Sequence, residues 1–269
     1  MATSKKKILL LGDDMRLHSG VGTMCKEIVT GTLKHFDWVQ LGGAIKHPEA
    51  GKGFLDISKD EFIIEQSGVS DGYVKILPVD GYGNPDLVRD VITLEKPDAI
   101  LHFTDPRFWG WLYDMSHEFR TEGIPLMYYN IWDDLPYPHW NEPFYESCDL
   151  LMGISKQTYN INKNVCQRKP RTDWDLTYVQ HGIDEKKYFP VEPTDSKYVS
   201  IKSKLLGEND YEFIAFFNSR NIHRKGCNSL IQAFGKFVES IPEDKKDKVA
   251  LLMHTDVVDQ NGTDLLASV

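Results

Sequence analysis

The stretch Glu212–Gly226, E-F-I-A-F-F-N-S-R-N-I-H-R-K-G, decides how the chain is read. Its uninterrupted apolar run Phe213–Phe217 predicts a buried strand, because a half-solvated strand would alternate polar and apolar positions. A polar turn carrying Arg220, Arg224 and Lys225 follows, and Gly226 opens an amphipathic helix with Leu230, Ile231, Phe234, Phe237 and Val238 at helical spacing. Cations delivered just ahead of a helix N-terminus suit an anion such as a diphosphate, since unsatisfied backbone N–H groups and the positive end of the helix dipole meet there. The alternative is a solvated turn whose cations face water, and the stretch taken alone does not choose between the two.

Toward the N-terminus the same strand–turn–helix rhythm repeats. Strands are predicted at Lys7–Asp13, Trp38–Ala44, Val74–Pro78, Ala99–Phe103, Pro125–Ile131, Leu150–Ile154 and Leu176–Gln180, with helices through Met24–Leu33, Pro85–Glu95 and Trp111–Glu122. Alternation of this kind implies an α/β fold whose parallel sheet is covered on both faces. Pro48–Gly72 is polar around one apolar interruption, Phe62-Ile63-Ile64, and reads as an excursion with a hairpin and no assigned role; Pro136, Pro138 and Pro143 mark a loop. Tyr188–Asp210 changes character and reads as a linker with a short helix, Tyr198–Leu206, ended by Gly207. A second strand–helix–strand unit follows, with its helix at Asn228–Ser240 and its next strand at Val249–His254. The expected organisation is an N-terminal Rossmann-like domain over 1–190, a linker over 191–210 and a partial second Rossmann-like domain over 211–269.

A chain of 269 residues, 41% hydrophobic, has enough apolar material for one large or two smaller cores. Its net charge of -9 supplies no long-range attraction to nucleic acid, so any anionic ligand must be held by a local site. Cys25, Cys148, Cys166 and Cys227 are scattered without a C-x-x-C pair, which fits reduced thiols in a cytoplasmic protein better than a zinc site or a disulfide framework. No apolar run approaches the ~18 residues of a membrane span. Lys5–Lys7 reads as a solubilising flank, and peripheral membrane contact stays open.

Ser19-Gly20-Val21-Gly22 lets backbone approach an anion at a helix start, yet lacks the third glycine of a dinucleotide fingerprint; it reads equally as a phosphate or substrate loop and as a plain tight turn. Asp13-Asp14 and Asp133-Asp134 do not have the D-x-D spacing of a metal-dependent sugar transferase and read as acidic strand-end residues, with Asp133 or Asp134 a candidate to meet a sugar hydroxyl. Aromatic clusters at Phe108–Tyr113 and Tyr128–Tyr145 suit sugar rings or nucleobases, although core packing accounts for most such residues. His102, His139 and His181 fall at or beyond strand ends, without the Ser–His–Asp order or G-x-S-x-G elbow of a hydrolase.

Taken in order, the glycine loop, Cys148–Lys156 (C-D-L-L-M-G-I-S-K), His181–Phe189 (H-G-I-D-E-K-K-Y-F) and Asn218–Gly226 resemble the group 1, or family 4, retaining glycosyltransferases of the GT-B fold. The resemblance implies two Rossmann-like domains, with a nucleotide-diphosphate sugar as co-substrate and no other cofactor or metal. It also implies that Arg220 and Lys225 are catalytic, neutralising the donor diphosphate, and that Gly20, Gly22, Asp133 and Arg224 bind donor or acceptor. The implied reaction moves the sugar to an acceptor hydroxyl with retention; the acceptor, whether glycan, lipid or protein, and the oligomeric state are left open. This chain departs from the family pattern in having Trp132 before Asp133 and Ile183 within His181–Asp184. The family's paired glutamates would fall beyond Val269, so the expectation is a chain cut short in its second domain, with activity at this length in question. The alternatives are a non-catalytic nucleotide- or glycan-binding module or inactive fragment, and a nucleotide-sugar epimerase of the same fold.

Overall fold

The computed structural model describes residues 5–166 and 175–268. The chain divides into two compact units, Met1–Ile183 and Asp184–Val269.

The first unit is organised by β1 (Lys6–Asp13), whose apolar residues alternate between two cores: Leu9 and Leu11 enter one, Ile8 and Leu10 the other. Around it the chain lays down α1 (Gly20–Thr32), β2 (Phe36–Ala44), β3 (Leu55–Asp56), α2 (Glu61–Ser67), β4 (Val74–Asp80), α3 (Pro85–Glu95) and β5 (Ala99–Phe103). It continues through α4 (Gly110–Asp114), α5 (Ser116–Thr121), β6 (Leu126–Asn130), α6 (Glu142–Ser147), β7 (Leu150–Gly153), α7 (Lys156–Cys166) and β8 (Asp175–Tyr178). The eight-stranded sheet runs β3-β4-β2-β1-β5-β6-β7-β8. All neighbours pair in parallel except β3, which is antiparallel to β4. Strand order reverses direction at β1, between β2 and β5, so a crevice is expected at the carboxyl ends of those strands.

The structure departs from the sequence reading in four places here. Phe62-Ile63-Ile64 belongs to α2, not to a hairpin: Ile63 is fully buried, and Gly68 closes the helix in the left-handed region at φ 66°. Pro143 is helical, occupying the first turn of α6, where its missing N–H removes no internal bond. The helix expected over Trp111–Glu122 is broken at Met115, whose N–H bonds the carbonyls of Leu112 and Tyr113 and starts a separate α5. Lys156–Cys166, given no helix in the sequence reading, forms α7; it buries polar Thr158 and Asn162 beside Ile161 and Val165, which blurs the apolar period.

The second unit holds α8 (Ser196–Leu206), β9 (Phe213–Asn218), α9 (Cys227–Ser240) and β10 (Val249–His254). Asp195 caps α8 by accepting from the N–H groups of Lys197 and Tyr198, and Gly207 ends it. β9 and β10 form a two-stranded parallel sheet in register Phe213↔Val249 to Asn218↔His254. The expectation that β9 is buried does not hold: Phe213, Ile214 and Phe216 are all exposed. Among the described residues β9 has one hydrogen-bonding neighbour; the Phe237 ring of α9 lies 5.7 Å from Phe213 at its start, and only Ala215 and Phe217 are half-buried.

Candidate functional site

At the carboxyl edge of the first unit's sheet, the two adjacent carboxylates that end β1 face different surroundings. Asp14 is fully buried and receives Arg16 through Nε and Nη2 at 3.0 and 2.6 Å, with His47 Nε2 at 3.1 Å. Burial would raise its pKa, but these donors pull it below the usual carboxylate value. It is a structural anchor for the loop. Asp13 is only partly buried and accepts from the Ser19 hydroxyl at 2.7 Å; burial outweighs that bond and raises its pKa. Ser19 in turn caps α1, accepting from Gly22 N at 2.9 Å.

The two glycines of this loop also differ. A Cβ at Gly22 would lie 2.8 Å from the Asp14 carbonyl oxygen and 2.9 Å from that of Leu17, whereas one at Gly20 would meet nothing within 4 Å. Gly22 is required by the fold, and Gly20 is exposed at the helix start. Asp133, beyond β6, is exposed; its carbonyl accepts from Gln157 Nε2 at 2.7 Å, and its carboxylate has no partner among the described residues.

The histidines divide in the same way. His102 is fully buried, bonded through Nδ1 to the Tyr113 hydroxyl at 2.6 Å and stacked on Tyr128, and burial lowers its pKa to about 3, so it is a neutral core residue. His181 stands edge-on to Phe103 and Tyr129 beyond the end of β8. Among the described residues no three His, Cys, Asp or Glu side chains converge as metal ligands.

In the second unit the cationic turn is held by a residue that sequence reasoning missed. Asn221 is buried between Arg220 and Ile222; its amide donates to the Thr263 carbonyl at 2.6 Å and accepts from Thr263 N at 3.2 Å. Gly262 packs so tightly on it that a Cβ would lie 2.1 Å from the Asn221 carbonyl oxygen. His223 N adds a bond to the Asn261 carbonyl at 3.1 Å. This clamp fixes where Arg220, Arg224 and Lys225 leave the backbone. Arg220 Nε donates to Asp259 at 2.9 Å while the side chain remains 61% exposed, and neither Nη group has a hydrogen bond among the described residues. Arg224 and Lys225 lie exposed on the 3-10 turn His223–Lys225, with no ion pair among the described residues. Gly226, at φ 65°, passes the chain into α9 without a side-chain cap, so the first-turn N–H groups stay open beside those cations. A helix start of this kind, with cations just ahead of it and no acidic residue in its first turn, has the charge and open N–H groups that suit an anion.

No family model and no curated relative matches the chain. Among solved structures, it is similar to α,α-trehalose 6-phosphate synthase from Burkholderia multivorans, with a TM-score of 0.55 and 12% identity over 93% of this chain. It spans 65% of that protein's length. A Medicago truncatula UGT71G1 complexed with UDP-glucose aligns over 93% of this chain and 72% of its own at 10% identity, but at a TM-score of 0.46 the likeness carries no argument. The likeness to the synthase is one of fold alone: an α/β chain with a large, mainly parallel sheet.

Proposed function

We propose that the chain carries the donor-diphosphate grip of a retaining glycosyltransferase, which moves a sugar from a nucleotide-diphosphate donor to an acceptor hydroxyl without a metal. The observation that supports it best is the exposed Arg224–Lys225 turn, without an ion pair among the described residues, set against the uncapped start of α9, with Arg220 fixed beside it through Asp259. As the glycosidic bond breaks, negative charge grows on the leaving diphosphate. Preplaced cations and backbone N–H groups stabilise that charge more in the transition state than in the ground state. In this reading Arg220 and Lys225 carry the catalytic share and Arg224 contributes to binding. Gly20 leaves open space at the start of α1, and Asp133 offers a carboxylate, without a partner among the described residues, for a sugar hydroxyl.

The test is turnover of UDP-, GDP- and ADP-glucose in the presence of EDTA. The expected result is release of nucleoside diphosphate from at least one donor, with Arg220→Ala and Lys225→Ala each lowering kcat/KM by about 100-fold. Turnover that ignores both substitutions contradicts the assignment. Donor binding with no turnover supports the non-catalytic module instead.

A further inference from the structure

The carboxyl edge of the first unit carries a row of aromatics in which Tyr82 and Trp132 lean on the core while Phe108 and Trp140 stand exposed. Tyr82 sits between Gly81 and Gly83, both left-handed at φ 69° and 73°, and its ring stacks on Phe108 at 4.9 Å and 15°. The turn Pro106–Trp109 is capped by Asp105 and buries Pro106 and Trp109, which leaves Arg107 and Phe108 pointing away from the core; Phe108 is 53% exposed. Arg107 is held by the Asp105 carboxylate and lies 5.9 Å over the Trp132 ring. Trp132 meets Trp140 edge-on at 5.9 Å, and Trp140 is 56% exposed. The wall thus joins three separate loops, those after β4, β5 and β6, on one sheet edge.

We propose that this wall, Tyr82–Phe108–Arg107–Trp132–Trp140, binds a carbohydrate chain, and that carbohydrate is therefore the acceptor class of the proposed transferase. The word acceptor rests on the transferase reading; the binding surface does not. Sugar rings have apolar C–H faces that lie against exposed aromatic faces, and their edges carry hydroxyls that need acceptors. Carboxylates stand on the same edge: Asp133 is exposed, its carboxylate without a partner among the described residues, and the negative fields of Asp13 and Asp105 reach the Tyr82 hydroxyl. The charge argues against an anionic partner. Asp105, Asp133 and Asp134 line the rim, and its cation Arg107 is already tied to Asp105, so phosphate groups and anionic lipid headgroups are repelled.

The test is saturation-transfer NMR on the full chain, without nucleotide, using maltohexaose, cellohexaose and chitohexaose as probes, with AMP and phosphatidylglycerol vesicles as rivals. At least one oligosaccharide is expected to bind. Phe108→Ala and Trp140→Ala, both at exposed positions, should each weaken that binding at least tenfold while leaving the melting temperature unchanged. Arg220→Ala should leave it unaltered, which separates this outcome from any failure of the donor site. The proposal is overturned if no oligosaccharide binds, if both aromatic variants bind like the parent, or if the same residues govern binding of AMP or vesicles instead.

Discussion

Gly20 and Gly22 stand two positions apart yet answer to different constraints. From the sequence they form one motif; in the structure only Gly22 is walled in by the Asp14 and Leu17 carbonyls, while Gly20 opens to solvent. Gly22→Ala should therefore cost about 1–3 kcal/mol, because backbone oxygens cannot step aside as a flexible side chain can. Gly20→Ala should leave stability equal or slightly raised. Urea denaturation of the two variants checks this, and equal losses would contradict it. Asp13 and Asp14 show the same division: the sequence gives two equivalent acids, and only tertiary placement puts one against Arg16 and His47 and the other against Ser19. The cations Arg220, Arg224 and Lys225 were legible as strand-end residues. Asn221, Gly262 and Asp259 were not, because each acts on a partner about forty positions away and no local period marks such a contact.

At the scale of elements, long apolar runs were read well because burial on both faces leaves a signal that needs no partner: β1, β2 and β5 fall where the sequence places them. Short helices were read poorly, since α2 and α5 offer less than two turns of period. One charged cluster ties three of these elements together. Glu95, at the end of α3, receives Lys7 of β1 at 2.9 Å, Lys75 of β4 at 3.0 Å and the Tyr73 hydroxyl at 2.6 Å. Burial alone would raise its pKa; the Tyr73, Lys7 and Lys75 bonds outweigh it and pull the value down to about 2. A depressed carboxyl pKa stabilises the fold above the ordinary value of 4.5, and that contribution fades as pH falls from there toward about 2. Glu95→Gln should cost about 2 kcal/mol at pH 7, with the gap to the parent closing across that acidic window. A gap that stays constant to pH 2 would contradict it.

For the whole molecule, a parallel sheet alternating with helices was legible in the apolar runs and glycine turns, while the strand order and the exposure of β9 were not. A continuous apolar run predicts burial whatever packs on it, and Phe216 is left 64% exposed. The central claim rests on the second unit's cationic turn. It predicts that calorimetric titration with UDP, GDP and ADP in EDTA finds at least one nucleoside diphosphate that binds. It further predicts that Arg220→Ala and Lys225→Ala each weaken that binding by about 1–3 kcal/mol, or ~5- to 150-fold in Kd. Affinity unchanged in both variants would contradict the claim.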